Sequence, residues 1–127
     1  MTDGPPREYD REYRRPLPGA AQVRIGFDRK KDVVTRFVVQ LEYRHGGAWQ
    51  PVVRYDHDGT GASEHAHDVT EEGVHMDIYR DGEKHVTEYV APPLSGAVGL
   101  DRAEDHLQNN LQRFVNRYER WHKITDR

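Results

Sequence analysis

Alternation of apolar and polar residues, the pattern of half-buried β-strands, runs through the first two thirds of the chain. It predicts a short strand at Val23–Phe27, followed by strands at Thr35–Arg44 and Trp49–His57. Gly46-Gly47 between the last two is a turn signal that makes them a hairpin. Asp81-Gly82 is the strongest two-residue hairpin signal in the sequence, and alternation continues on both sides of it.

The second hairpin can be given a register. Val74–Tyr79 and Lys84–Val90 are its strands, and a tight turn at Asp81-Gly82 places Arg80 opposite Glu83. Counting outwards, the expected core face carries Val74, Met76 and Ile78, opposite Tyr89, Thr87 and His85. The other face, which is either solvated or the rim of a site, carries His75, Asp77 and Tyr79, opposite Glu88, Val86 and Lys84.

The end of the chain has a helical period. From Ala103 to Tyr118, apolar residues recur three or four positions apart, as in an amphipathic helix that packs on a sheet. Asp101 is the expected N-cap and Glu104 completes a pair like a capping box, after a Pro/Gly-rich connector at 91–100. The predicted fold class is therefore α+β, an antiparallel β-meander of about five strands with one C-terminal amphipathic helix packed on the sheet.

The chain divides into an arm and a domain. Residues 1–19 are rich in Pro, Gly and charge, which predicts a flexible N-terminal arm, and residues 20–127 form a single α+β domain. Tyr9 and Tyr13 lie among arginines in the arm. That pattern fits either a stacking arm for single-stranded RNA or a solvated tail.

Composition excludes several classes of protein. The chain has 127 residues and no cysteine, which rules out a disulfide framework, a cysteine zinc site and a thiolate nucleophile. Its 19 basic and 22 acidic residues are not the balance of a protein that holds long RNA by charge alone. No apolar run approaches a membrane span and no signal peptide opens the chain, so we expect a cytoplasmic protein without membrane contact.

Candidate chemistry is concentrated at residues 54–68, where His65 and His67 follow Asp56. Two histidines can supply one base and one acid, the combination that metal-free RNA cleavage requires. Asp56 would orient one imidazole, and Arg54 or Arg44 would stabilise the charge that develops on phosphorus.

Two alternatives remain open for the same segment. His65-x-His67 with Asp56 is also a workable first shell for zinc, although no second ligand pair at fixed spacing accompanies it. A polar surface loop without chemistry is the other alternative. We assign no metal ligand and no cofactor from the sequence.

The segment at residues 36–70 resembles the TumE-type toxins of small prokaryotic toxin–antitoxin modules. Tyr43-Arg44 ends one strand, a Gly46-Gly47 turn follows, Arg54-Tyr55-Asp56 ends the next strand, and His65-Ala66-His67 comes after it. The sequence departs from that pattern at His57, where the family commonly has Asn. A related family of unknown function would share these features.

The resemblance implies a toxin-like protein, with Arg44, Arg54, Asp56, His65 and His67 as its catalytic residues and RNA as its substrate. It also implies a cognate antitoxin as partner. Open sheet edges also favour either a homodimer or an arm that covers an edge. The alternative functions are a non-catalytic binding or regulatory module, or a His/Asp metal-binding protein.

Overall fold

The structure, a computed structural model, describes residues 8–124. Its elements are β1 (Arg11–Pro16), β2 (Ala21–Lys30), β3 (Val33–His45), β4 (Ala48–Asp58), α1 (Val69–Glu72), β5 (Val74–Arg80), β6 (Glu83–Ala91) and α2 (Gly96–Trp121). The six strands form one sheet in the order β1-β2-β3-β4-β5-β6, and each pair is antiparallel. The predicted meander is confirmed, with six strands rather than five.

Tight turns account for this connectivity. Gly46 and Gly47 both have positive φ between the paired residues His45 and Ala48, and Asp81-Gly82 has positive φ at both residues. Turns of this kind match the twist of the strands they join, so each returns the chain directly alongside the strand before it. Both predicted hairpins are therefore confirmed.

Helix α2 covers one face of the sheet, where it packs mainly on β3, β4 and β5. The core between them is apolar and includes Phe37, Val39, Leu41, Val53, Tyr55, Met76, Ile78, Ala103, Leu107, Phe114 and Tyr118. This confirms the predicted α+β class. Within residues 8–124, no helix is both long and apolar enough to cross a membrane.

The expected flexible arm needs correction at residues 11–16, which form β1 along the edge of β2. Tyr9 explains how this segment is anchored. Its side chain is buried over Gly26, where a Cβ would lie 2.7 Å from the Tyr9 ring, and the Arg36 guanidinium lies 4.5 Å from the ring centre. Tyr9 is therefore part of the folded domain rather than of a free stacking arm. Residues 1–7 lie outside the described residues.

Helix α2 begins earlier than expected, because Ser95 and not Asp101 is its N-cap. The Ser95 hydroxyl accepts a hydrogen bond from the Val98 N–H at 3.3 Å. Gly96 lies so close to β3 that a Cβ there would collide with the Val34 carbonyl oxygen. The Gly residues that suggested a connector instead allow the first turn of the helix to approach the sheet.

The second hairpin has the predicted turn but shifts its register farther out. Arg80 opposes Glu83 as expected, but an irregularity beside Ile78 places Val86 opposite it, where His85 was expected. The shift pairs Asp77 with Thr87, whose hydroxyl donates a 2.7 Å hydrogen bond to the Asp77 carboxylate. A bulge of this kind sets two residues of one strand against one of its partner, which offsets every pair beyond it.

Candidate functional site

The face of the sheet opposite α2 is polar. Residues directly opposite each other on paired strands share a face, so one row can be followed across all six strands. The row consists of Arg14, Arg24, Gln40, Arg54, Asp77 and Thr87. Ion pairs run along it: Arg24 contacts Glu12 at 3.0 Å, and the Arg54 Nε lies 2.9 Å from an Asp56 carboxylate oxygen. A cluster of buried and half-buried charges is thus held at the centre of the sheet.

A cleft of about 350 Å³ opens on this face where the loop after β4 crosses the ends of β5 and β6. It is lined by Arg54, Asp56, Ser63, His65, Ala66, Asp77, Tyr79 and Lys84. His65 is exposed on the rim, whereas Asp56 and Asp77 are buried in the floor. The cleft therefore combines two cations, two carboxylates and an accessible imidazole.

Of the five predicted site residues, Arg54, Asp56 and His65 line the cleft. His67 lies beside the cleft, where its ring contacts Asp77, and Arg44 lies elsewhere. Arg44 lies four residues beyond Gln40 on β3, about 13 Å along the strand. It is exposed opposite Trp49, with its guanidinium 5.8 Å from the Trp49 ring centre. The structure places it at the far end of the sheet, where it does not line the cleft.

Two aspartates at the end of β4 hold the loop that carries the histidines. Asp56 accepts a 2.9 Å hydrogen bond from the His67 backbone N–H. Asp58 accepts from the N–H groups of Thr60 and Ser63 at 2.8 and 3.0 Å. Burial acts to raise the pKa of Asp58, but these hydrogen bonds outweigh it and hold the pKa below its usual value. The loop is therefore tied to the sheet by the carboxylates of Asp56 and Asp58.

His67 lies between two carboxylates. Its Nε2 is 3.2 Å from an Asp77 oxygen and its Nδ1 is 3.3 Å from a Glu72 oxygen. The hydrogen bond with Asp77 raises the pKa of His67 to about 9, with help from Glu72 and against the effect of burial. Both ring nitrogens are thus engaged, which distinguishes His67 from the exposed His65.

Asp77 is the counterpart of His67. Burial favours its neutral form, but hydrogen bonds from His67 and Thr87 and the charge of Lys84 lower its pKa to about 2. The Lys84 ammonium lies 3.4 Å from the second Asp77 oxygen. Asp77 therefore connects β5, β6 and the histidine loop through a single charge.

Two overlapping sets of side chains have the donor atoms of a metal site. They are Asp56, His67 and Asp77, and His67, Glu72 and His75, with the ligand atoms of each set within 4.8 Å of one another. In the first set, Arg54 contacts Asp56 and Lys84 contacts Asp77, so a further cation there meets two positive charges. In the second set, the rings of His67 and His75 stack with centres 5.1 Å apart.

The comparison with protein families identifies a relationship. A family model described as "Domain of unknown function (DUF7718)" matches residues 7–124. This chain belongs to that family. No curated protein and no solved structure matches it. The DUF7718 match extends over the whole sheet and α2, so it includes every residue of the cleft.

Asp77 and Lys84, which line the cleft of this DUF7718 domain, were not among the site residues predicted from the sequence. The predicted hairpin did place Asp77 and Tyr79 on its polar face with Lys84 opposite Tyr79, and that pair is present. What the pattern lacked was the pairing of β4 with β5, which sets Arg54 directly opposite Asp77. No local pattern in the sequence specifies which residue of β4 lies opposite which residue of β5.

Proposed function

We propose that the cleft binds an RNA phosphodiester and cleaves it by proton transfer, in a toxin-like protein of a cytoplasmic toxin–antitoxin module. One observation carries the proposal: Arg54 of β4, Lys84 of β6 and His65 of the connecting loop all line the same cleft. Two cations beside an exposed imidazole provide both phosphate binding and proton transfer.

A buried carboxylate contacts each of the two cations, Arg54 and Lys84. Asp56 contacts the Arg54 guanidinium at 2.9 Å, and Asp77 contacts the Lys84 ammonium at 3.4 Å. Each carboxylate orients its cation, so less side-chain freedom is lost when a phosphate binds. We assign Arg54 to the non-bridging oxygens of the phosphate, where negative charge increases in the transition state, and Lys84 to the side of the departing 5′-oxygen.

His65 and Lys84 divide the proton transfers. His65 takes the proton of the 2′-hydroxyl, and the 2′-oxygen bonds to phosphorus as the bond to the 5′-oxygen breaks. The Lys84 ammonium donates a proton to the departing 5′-oxygen. The products are a 2′,3′-cyclic phosphate and a 5′-hydroxyl. We assign His67 a positioning role, because its ring nitrogens already meet Asp77 and Glu72.

The partners predicted from the sequence remain part of this proposal. The sheet ends at β1 and β6, and residues 83–89 of β6 are exposed. An edge strand presents unpaired backbone groups, so β6 is the surface we assign to the antitoxin or to a second copy of the chain. Lys84 belongs to β6 and lines the cleft, so an antitoxin bound to β6 would cover the cleft.

The test is an RNA cleavage assay with the purified full chain in EDTA. We expect the wild type to produce cyclic-phosphate ends, and His65→Ala and Lys84→Ala each to lower the rate by roughly 10²–10⁴-fold. The matched controls are His85→Ala, an exposed histidine beside Trp121, and Lys30→Ala at the end of β2. Both controls should cleave at the wild-type rate.

Two outcomes would overturn the proposal. If the wild type leaves RNA intact with and without EDTA, the cleft is not a free-standing ribonuclease site. If His65→Ala cleaves as fast as the wild type, the chemistry lies elsewhere in the chain. Circular dichroism of each variant establishes that the loss of activity is not a loss of folding.

A further inference from the structure

We propose that His67, Glu72 and His75 form a binding site for one divalent transition-metal ion, with Zn²⁺ as the best-matched ion. The proposal goes beyond the ribonuclease function and does not depend on it. Two imidazoles and a carboxylate are the donor types that zinc prefers, with a fourth position left for water. The site differs from the His65-x-His67 set that the sequence left open as an alternative, since β5 and α1 supply two of the three donors.

The spacing of the donors suits zinc. The three ligand atoms lie within 4.8 Å of one another, and the His67 Nδ1 is 3.3 Å from a Glu72 oxygen. Two donors bonded to one tetrahedral zinc ion at about 2.0–2.1 Å are roughly 3.3 Å apart. That pair is therefore already at ligand spacing. The His75 donor atom lies within 4.8 Å of both and has to move closer to share the ion.

The outer contacts of both histidines point to the same conclusion. The His67 Nε2–H donates to Asp77 at 3.2 Å, and the His75 Nδ1–H donates to the Gly73 carbonyl at 3.3 Å. Metal-binding histidines usually donate the N–H of the other ring nitrogen to a carboxylate or a carbonyl in this way, which fixes the tautomer. These contacts leave the His75 Nε2 for the ion, together with the His67 Nδ1, whose contact is the Glu72 carboxylate.

Glu72 and the backbone complete the preorganisation. The second Glu72 oxygen accepts a 3.0 Å hydrogen bond from the Asp68 N–H, which orients the carboxylate. Gly73 turns the chain into β5 with φ of 85°, and a Cβ there would collide with the Ala91 carbonyl oxygen. This turn brings His75 back to stack on His67 with an interplanar angle of 16°.

A second pair of close histidines provides a contrast. The rings of His45 and His122 are 5.8 Å apart, a spacing similar to that of His67 and His75. The His122 Nε2 accepts a hydrogen bond from the Asp81 N–H, and its Nδ1 donates to the Tyr118 carbonyl. Both His122 nitrogens are therefore used by backbone groups, whereas the His67 Nδ1 meets the carboxylate of Glu72, itself a proposed ligand. This difference makes His45→Ala a matched control.

The experiment is calorimetric titration of the metal-stripped full chain with ZnSO₄ in the absence of RNA, with Co²⁺ absorption as a second readout. We expect one ion per chain for the wild type and for His45→Ala, and a higher melting temperature in Zn²⁺. His75→Ala and Glu72→Gln should each weaken binding by at least about tenfold. The tetrahedral Co²⁺ spectrum should be lost in both variants.

Failure of this proposal is recognisable separately from failure of the ribonuclease proposal, because no step uses RNA. A wild type that binds no Zn²⁺ overturns it. So does wild-type affinity in folded His75→Ala, which would move the ion to Asp56, His67 and Asp77.

Discussion

The two faces of the sheet are buried by different means. On the α2 face, Phe37, Leu41 and Tyr55 are fully buried among apolar neighbours. On the opposite face, Asp77 is only 1% exposed and Asp56 6%, yet each is held by charged partners. Apolar burial is non-directional, whereas a buried charge depends on particular partners. The first face therefore sets the stability of the fold, and the second sets the chemistry of the cleft.

The largest loss of stability is expected from a substitution in the apolar core under α2. Leu107 is buried in the core, and Leu107→Ala should lower the free energy of unfolding by about 2–5 kcal/mol. Leu111, one turn later on the same helix, is only partly buried and provides the matched control. In urea denaturation, Leu111→Ala should lower the free energy of unfolding by less than Leu107→Ala does. Equal losses would mean that α2 packs differently from the structure.

An intermediate loss of stability is expected from removing a buried charge on the polar face. Asp77→Asn removes the charge that meets His67 and Lys84, so we expect a loss of about 1–3 kcal/mol at neutral pH. Asparagine keeps the shape, so the loss reports charge rather than packing. Urea denaturation in EDTA measures it while keeping His67 free of metal.

The same pair predicts a pH dependence. The pKa of His67 is raised to about 9 in the folded protein, so its stabilisation is complete below about pH 6.5 and is lost as the pH rises through 9. The pKa of Asp77 is lowered to about 2, so its stabilisation is present above about pH 4 and is lost on acidification towards 2. Unfolding free energies of the wild type in EDTA should fall between pH 6.5 and 9. Asp77→Asn should flatten that slope, and an unchanged slope would contradict the assignment.

His65→Ala should have the smallest effect on stability, although it lies in the proposed site. His65 is exposed on the rim, so His65→Ala should change the free energy of unfolding by less than about 0.5 kcal/mol. Under the proposed function, the same substitution removes RNA cleavage. A thermal melt beside the cleavage assay separates the two readouts. A large loss of stability would show that His65 supports the loop rather than the chemistry.

The parts of the site that could be predicted from the sequence lie close together in it. Arg54, Asp56, His65 and His67 come from one strand end and the loop after it, and the structure keeps them together. Arg44 was grouped with them as an alternative guanidinium to Arg54 and by the family resemblance, yet it lies at the far end of β3, opposite Trp49. Asp77 comes from a different hairpin, and its role depends on the pairing of β4 with β5.

Local sequence patterns were enough to predict five of the six strands within residues 8–124, both hairpin turns and the amphipathic C-terminal helix. Apolar periodicity and turn chemistry act over a few neighbouring residues, so they can be followed along the chain. Three features follow from tertiary contacts instead. Arg11–Pro16 joins the sheet, Lys84 and Asp77 complete the cleft, and His75 stacks on His67. These contacts join segments distant in sequence, and each depends on how whole strands pair and fold back rather than on any local pattern.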